Sequence, residues 1–149
     1  MKKYFPFLLF WMVASFSLEG QNFYQLGTDI AATDCEGLLF DNGGPDSIYT
    51  GGVEESFTVC PSNPTACIDI EIIDYSIDPY RLFFGGDVLS IYAGNNALGD
   101  PIGIVSGSGT LAPLKLKVND PCFTVVFTAD EQIEMDGFQL KWSCNAEEC

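Results

Sequence analysis

Hydrophobic and polar positions alternate with period two along most of this chain, and turn residues interrupt them at short intervals. Ile68, Ile70 and Ile72 alternate with Asp69 and Glu71, and Leu114, Leu116 and Val118 alternate with Lys115 and Lys117. An extended strand sends successive side chains to opposite faces, so each of these segments buries one face and wets the other. The same pattern predicts strands over residues 37–41, 56–60, 67–75, 88–93, 102–105, 114–118, 123–128 and 138–142. Between them stand Asn42-Gly43-Gly44-Pro45, Pro61-Ser62-Asn63-Pro64, Gly85-Gly86-Asp87, Gly94-Asn95-Asn96 and Ser106-Gly107-Ser108-Gly109. These supply positive φ, fixed φ or side-chain capping. No segment keeps a helical period over the length a helix requires. Short strands at such spacing predict an all-β fold, an antiparallel two-sheet β-sandwich.

The N-terminus reads differently. Lys2 and Lys3 precede a hydrophobic run from Tyr4 to Phe16, and small residues follow at Ser15, Ser17 and Gly20. That is the layout of a signal peptide over residues 1–20, cleaved between Gly20 and Gln21. The run is shorter than the roughly 20 residues a spanning helix needs, so no membrane insertion is expected after cleavage. Residues 21–34 read as a leader that lies against the domain or dangles from it, and residues 35–149 as the domain. The end at Cys149 leaves open that the chain is a fragment of a larger exported protein.

Export accounts for the cysteines. Cys35, Cys60, Cys67, Cys122, Cys144 and Cys149 all follow the signal, and an even number in an exported domain reads as disulfides. No C-x-x-C pair and no histidine is present, which argues against a zinc site. The formal net charge is −15. Removing residues 1–20 takes away Lys2, Lys3 and Glu19. That leaves Arg81, Lys115, Lys117 and Lys141 against twenty of the twenty-one carboxylates. Such a surface repels phosphate backbones and anionic lipid heads, which excludes nucleic acid, and it suits divalent cations and basic partners.

Catalysis finds little support. Without histidine no Ser-His-Asp or Cys-His arrangement can be built. Ser106 and Ser108 lie in a Gly-rich turn that is not a G-x-S-x-G elbow, and no Gly-rich loop runs into Lys-Ser or Lys-Thr. Paired carboxylates are available for glycoside hydrolysis, but a sandwich this small has little material for a deep cleft. The chain reads as a binding module and not an enzyme.

Several motifs carry a family resemblance. After Cys35 come Asp41-Asn42-Gly43-Gly44, Tyr49 and Cys60-Pro61, then IDIEIIDYSID over 68–78 and Asp87-Val88-Leu89-Ser90-Ile91-Tyr92-Ala93-Gly94. Ser106-Gly107, Phe127-Thr128-Ala129-Asp130 and Gly137-Phe138-Gln139-Leu140-Lys141-Trp142 before Cys144 complete the series. In order and spacing these resemble the CUB domain, and more closely its exported bacterial variants than the animal ones. The resemblance implies a jelly-roll sandwich, a secreted or cell-surface location, and a role in protein binding or adhesion. It also implies a first disulfide between Cys35 and Cys60. The residues themselves leave the other pairings open. Cys122 with Cys144 and Cys67 with Cys149 is one scheme, and Cys67 with Cys122 and Cys144 with Cys149 is another.

One branch of that family holds calcium at one end of the sandwich. Carried over by position, its ligands fall on Tyr49, Asp78, Asp87 and Asp130, with Asp78 one methylene shorter than the family's glutamate. Glu131, Gln132 and Ile133 replace the short polar residues that complete the site in that branch. A hard cation takes oxygen ligands from several loops. The resemblance further implies that such acids, oriented by the ion, accept an exposed Lys or Arg of a protein partner, with Phe83 and Phe84 as candidate apolar neighbours. The alternatives are a carbohydrate-binding module and a structural spacer. A glycan partner needs solvent-facing aromatics, with Tyr75, Tyr80, Phe83, Phe84, Tyr92 and Trp142 as candidates.

Overall fold

The structure, a computed structural model, describes residues 22–62, 67–80, 85–109 and 114–146. Residues 1–20, read as a signal peptide, and Arg81, Phe83, Phe84 and Cys149 lie outside the described residues. Among the described residues eleven strands are present: β1 (Phe23–Gln25), β2 (Ala31–Ala32), β3 (Glu36–Phe40), β4 (Val53–Val59), β5 (Cys67–Ser76) and β6 (Val88–Ala93), then β7 (Gly103–Val105), β8 (Ser108–Gly109), β9 (Leu114–Val118), β10 (Phe123–Ala129) and β11 (Gly137–Asn145). Every strand read from the alternation is among them. The sheets run β1-β3-β11-β5-β8, with β9 also paired to β5, and β2-β4-β10-β6-β7. We call the first the β5 sheet and the second the β10 sheet.

The long ladders are antiparallel and join strands that are distant in the chain. The segment read as a leader supplies one short edge strand to each sheet, β1 beside β3 and β2 beside β4, and both pairings are parallel. Inward positions of the two sheets interdigitate. Leu39, Ile68, Ile70, Ile72, Leu140 and Trp142 meet Phe57, Val59, Leu89, Ile91, Phe123 and Phe127. The Trp142 ring lies 5.4 Å from Tyr24 and 6.1 Å from both Phe57 and Phe123. Its indole N–H donates to the Asp34 carbonyl at 3.0 Å, so its polar atom is satisfied inside the core. Gly37 is what lets that ring fit. A Cβ there would stand 2.3 Å from it.

The disulfides correct the expected pairing. Cys35 is bonded to Cys144 and Cys60 to Cys122, with Cα–Cα distances of 5.1 and 4.4 Å. Neither Cys35–Cys60 nor Cys122–Cys144 forms. The reason is topological. Strands β10 and β11 follow each other in the chain but belong to different sheets, so Cys122 and Cys144 never face across one ladder. Cys35 instead precedes β3 opposite the end of β11, where the Cys144 N–H donates to its carbonyl at 2.7 Å. Cys60 follows β4 opposite the start of β10, since Val59 pairs with Phe123. Cys67 is disulfide-bonded too, and the Cys67–Cys149 proposal falls outside the described residues.

Candidate functional site

Three loops converge at one end of the sandwich: β3 to β4, β5 to β6 and β10 to β11. The Tyr49 hydroxyl donates to Asp87 Oδ2 and, at 3.0 Å, lies on the Ile133 carbonyl. It accepts the Asp78 N–H at 3.1 Å. The Asp130 N–H donates to Asp87 Oδ1 at 2.8 Å, and the Asp87 N–H donates to the Asp78 carbonyl at 3.0 Å. The structure thus brings together all four residues the sequence singled out, Tyr49, Asp78, Asp87 and Asp130. Two of them, Tyr49 and Asp87, are fully buried.

Local sequence explains the positioning. Asp130 closes β10 and caps its own loop, accepting the Gln132 N–H at Oδ1 and the Gly86 N–H at Oδ2. Gly86 has φ of 126°, and a Cβ there would come within 2.6 Å of the Pro79 carbonyl. Only glycine turns the chain tightly enough to deliver Asp87 into the cluster. Tyr49 is set from below by the edge of the Phe127 ring, 5.1 Å away. Around this centre Glu131 and Glu134 are exposed, and Glu134 accepts the Gly51 N–H at 2.9 Å.

The electrostatics follow from burial. Desolvation raises the Asp87 pKa above the ordinary carboxylate value, and the Asp130 and Asp78 carboxylates push it further up. The Tyr49 hydroxyl and the Asp130 N–H pull the other way by stabilising the charged form. Tyr49 itself is raised, first by burial and then by its bond to Asp87, so it remains a neutral donor at physiological pH.

As a donor set the site is all oxygen and includes three carboxylates, two of them, Asp78 and Asp130, acting on the buried Asp87, which suits a hard divalent cation. In the present arrangement the Asp87 and Asp130 carboxylates are engaged with backbone N–H groups and Tyr49. Among the described residues no group of three or more His, Cys, Asp or Glu side chains is drawn tightly enough to hold a metal ion. An ion would have to draw these side chains toward itself. The partners that sequence reasoning missed are backbone groups, the Ile133 carbonyl and the Gly86 and Gln132 N–H donors, which residue identity does not signal.

The aromatic platform fares otherwise. Trp142 is fully buried, a correction that removes it from any glycan surface, and Tyr75 packs against the core. Tyr92 is half-buried on the outer face of the β10 sheet, and Tyr80 is exposed. No described aromatics assemble a platform from these positions.

No family model matches the sequence, and no curated protein matches it. Solved structures do. The MASP-1 CUB2 domain bound to Ca2+ superposes with a TM-score of 0.60 at 17% identity, over 77% of this chain and 97% of that one. The human MASP-1/3 CUB1-EGF-CUB2 domains give 0.62 at 17% identity over 78% of this chain. The full extracellular region of zebrafish Gpr126/Adgrg6 gives 0.60 at 16% identity over 77% of it. The matches span 42% of the human chain and 14% of the zebrafish chain. At such identities the likeness establishes the fold, which is that of a CUB domain.

Proposed function

Starting from a CUB fold, we propose that this chain is an extracellular binding and adhesion module, whose loop end takes a calcium ion and, with its help, a basic side chain of a protein partner. The observation that carries the reading is the buried Asp87 carboxylate, with Asp78 and Asp130 beside it and only carboxylates among the charges that act on it. Like charges held this close resist ionisation unless a cation joins them. The disulfides and the excess of carboxylates fit work in an oxidising compartment outside the cytosol, and one solved neighbour is a calcium-bound CUB domain.

Tyr49, Asp87 and Asp130 would hold the ion, with Asp78 close by at one methylene less than a glutamate's reach. A bound ion would neutralise the crowded carboxylates and fix their orientation. The chain's own residues do the rest. Tyr49 keeps Asp87 in place through its hydroxyl. Asp130 spans two loops through Gly86 and Gln132, and Glu131 and Glu134 extend the negative field at the rim, where a lysine or arginine approaches. A protein partner is preferred to a glycan because the acids converge at this end while the aromatics do not.

The test is thermal unfolding in calcium and in EGTA. Calcium at ten times its Kd is expected to add about 1.4 kcal/mol of stability by mass action. An unchanged midpoint at millimolar calcium would remove the metal from the proposal.

A further inference from the structure

The two outer faces of the sandwich differ in charge. On the β5 sheet, Asp69, Glu71, Lys115, Lys117 and Lys141 point outward, and Lys115 and Lys117 stand 3.5 and 3.8 Å from Glu71 and Asp69. Such a face stays wet. On the β10 sheet the outward positions alternate with the core residues Phe57, Val125, Phe127 and Leu89, and Glu54 is the one charged residue among them. The centre of that face is Ser56, Val126 and Ser90, side by side in register. Its β7 edge shows Ile104 at 61% and Ile102 at 41% exposure, with Leu98 at 81% in the hairpin that leads there.

A chain with a net charge of −15 repels a second copy of itself wherever acids face acids. It would also direct a basic partner to those acids. A nearly uncharged sheet face is the place where two such chains can approach closely. Its size fits a weak contact. Strands spaced about 4.8 Å apart and about 3.3 Å per residue give a face on the order of 20 by 20 Å in projection. Side-chain relief brings this to roughly 600 Å2 per partner, the lower edge of specific interfaces.

We infer that the outer face of the β10 sheet is a self-association surface, on which two copies pack face to face about a two-fold axis near Val126. The same patch then serves both partners, and the aliphatic edge at Ile104 closes over the copy opposite. The contact is independent of the loop end. It is expected to strengthen with salt, because screening removes the repulsion between two polyanions while leaving apolar burial intact.

Sedimentation velocity in EGTA, from micromolar to submillimolar protein at low and high salt, tests this. The expected result is a concentration-dependent dimer, favoured by salt. Val126→Glu should require at least tenfold more protein to associate, and Ile104→Glu, at an exposed position, should weaken the dimer while leaving the thermal midpoint unchanged. Lys141→Gln on the opposite face should associate as the parent does. A monomer at every concentration in high salt overturns the inference, as does undiminished association of Ile104→Glu and Val126→Glu. Association that appears only with calcium, or that Lys141→Gln weakens, places the contact elsewhere and overturns it too.

Discussion

At the scale of single residues, two buried aspartates stand in different settings. Asp87 lies among carboxylates, whereas Asp41 is held by backbone, accepting the Phe138 N–H at 2.9 Å and the Gly43 N–H at 2.8 Å. Burial raises the Asp41 pKa even so, with those N–H donors opposing the shift. A group whose pKa is higher folded than unfolded holds its proton more tightly in the folded chain. Its stabilisation is full below the unfolded value, near 4, and is lost as pH rises through the folded one. Denaturant unfolding in EGTA is therefore expected to show stability falling with pH above about 4. Asp41→Asn should sit lower throughout, by about 1–3 kcal/mol, because its amide meets one of the two N–H donors with a donor of its own. Its dependence on pH should be flatter. A variant curve that stays parallel to the parent's would show that Asp41 does not titrate as described. The sequence placed Asp41 at the end of a strand and in a turn motif but did not show its burial, which depends on β11 arriving from almost a hundred residues away.

Among elements, the pattern of apolar runs broken by turn residues was enough to find β3 to β7 and β9 to β11; β4, β5, β6 and β9 alternate between core and water, whereas β3 is buried from Gly37 to Phe40. That pattern could not find β1, β2 or β8. These are two or three residues long and owe their conformation to a neighbouring strand. Nor could it assign strands to sheets. Treating β10 and β11 as a hairpin is natural for consecutive strands, and it fails because the chain crosses between sheets at Asp130–Asp136. The two described disulfides register that crossing, since each closes a pair of strand ends within a single sheet. Peptide mapping without reduction is expected to recover Cys35 with Cys144 and Cys60 with Cys122, and a Cys35–Cys60 peptide would contradict the topology. Replacing Cys35 and Cys144 together by serine should cost about 4–5 kcal/mol, the chain-entropy estimate for a loop spanning 109 residues. Denaturant unfolding would read that loss.

For the whole molecule, charge and fold point in one direction. Three loops of the sandwich meet at one end. The four residues named from family resemblance do meet there, which spacing alone could not have shown, since they lie up to eighty-one positions apart. What stayed hidden in the sequence is how firmly they are tied to one another and to backbone, with Tyr49 inside the core and not on the rim. The module reading rests on whether that end takes calcium. The most direct measurement is calorimetric titration of calcium into the purified chain and into Asp87→Ala. Saturable binding near one ion per chain is predicted for the first and none for the second, with the disulfides and the near-ultraviolet dichroism of the core unchanged. No saturable binding up to millimolar calcium, or equal binding by the variant, would contradict the account.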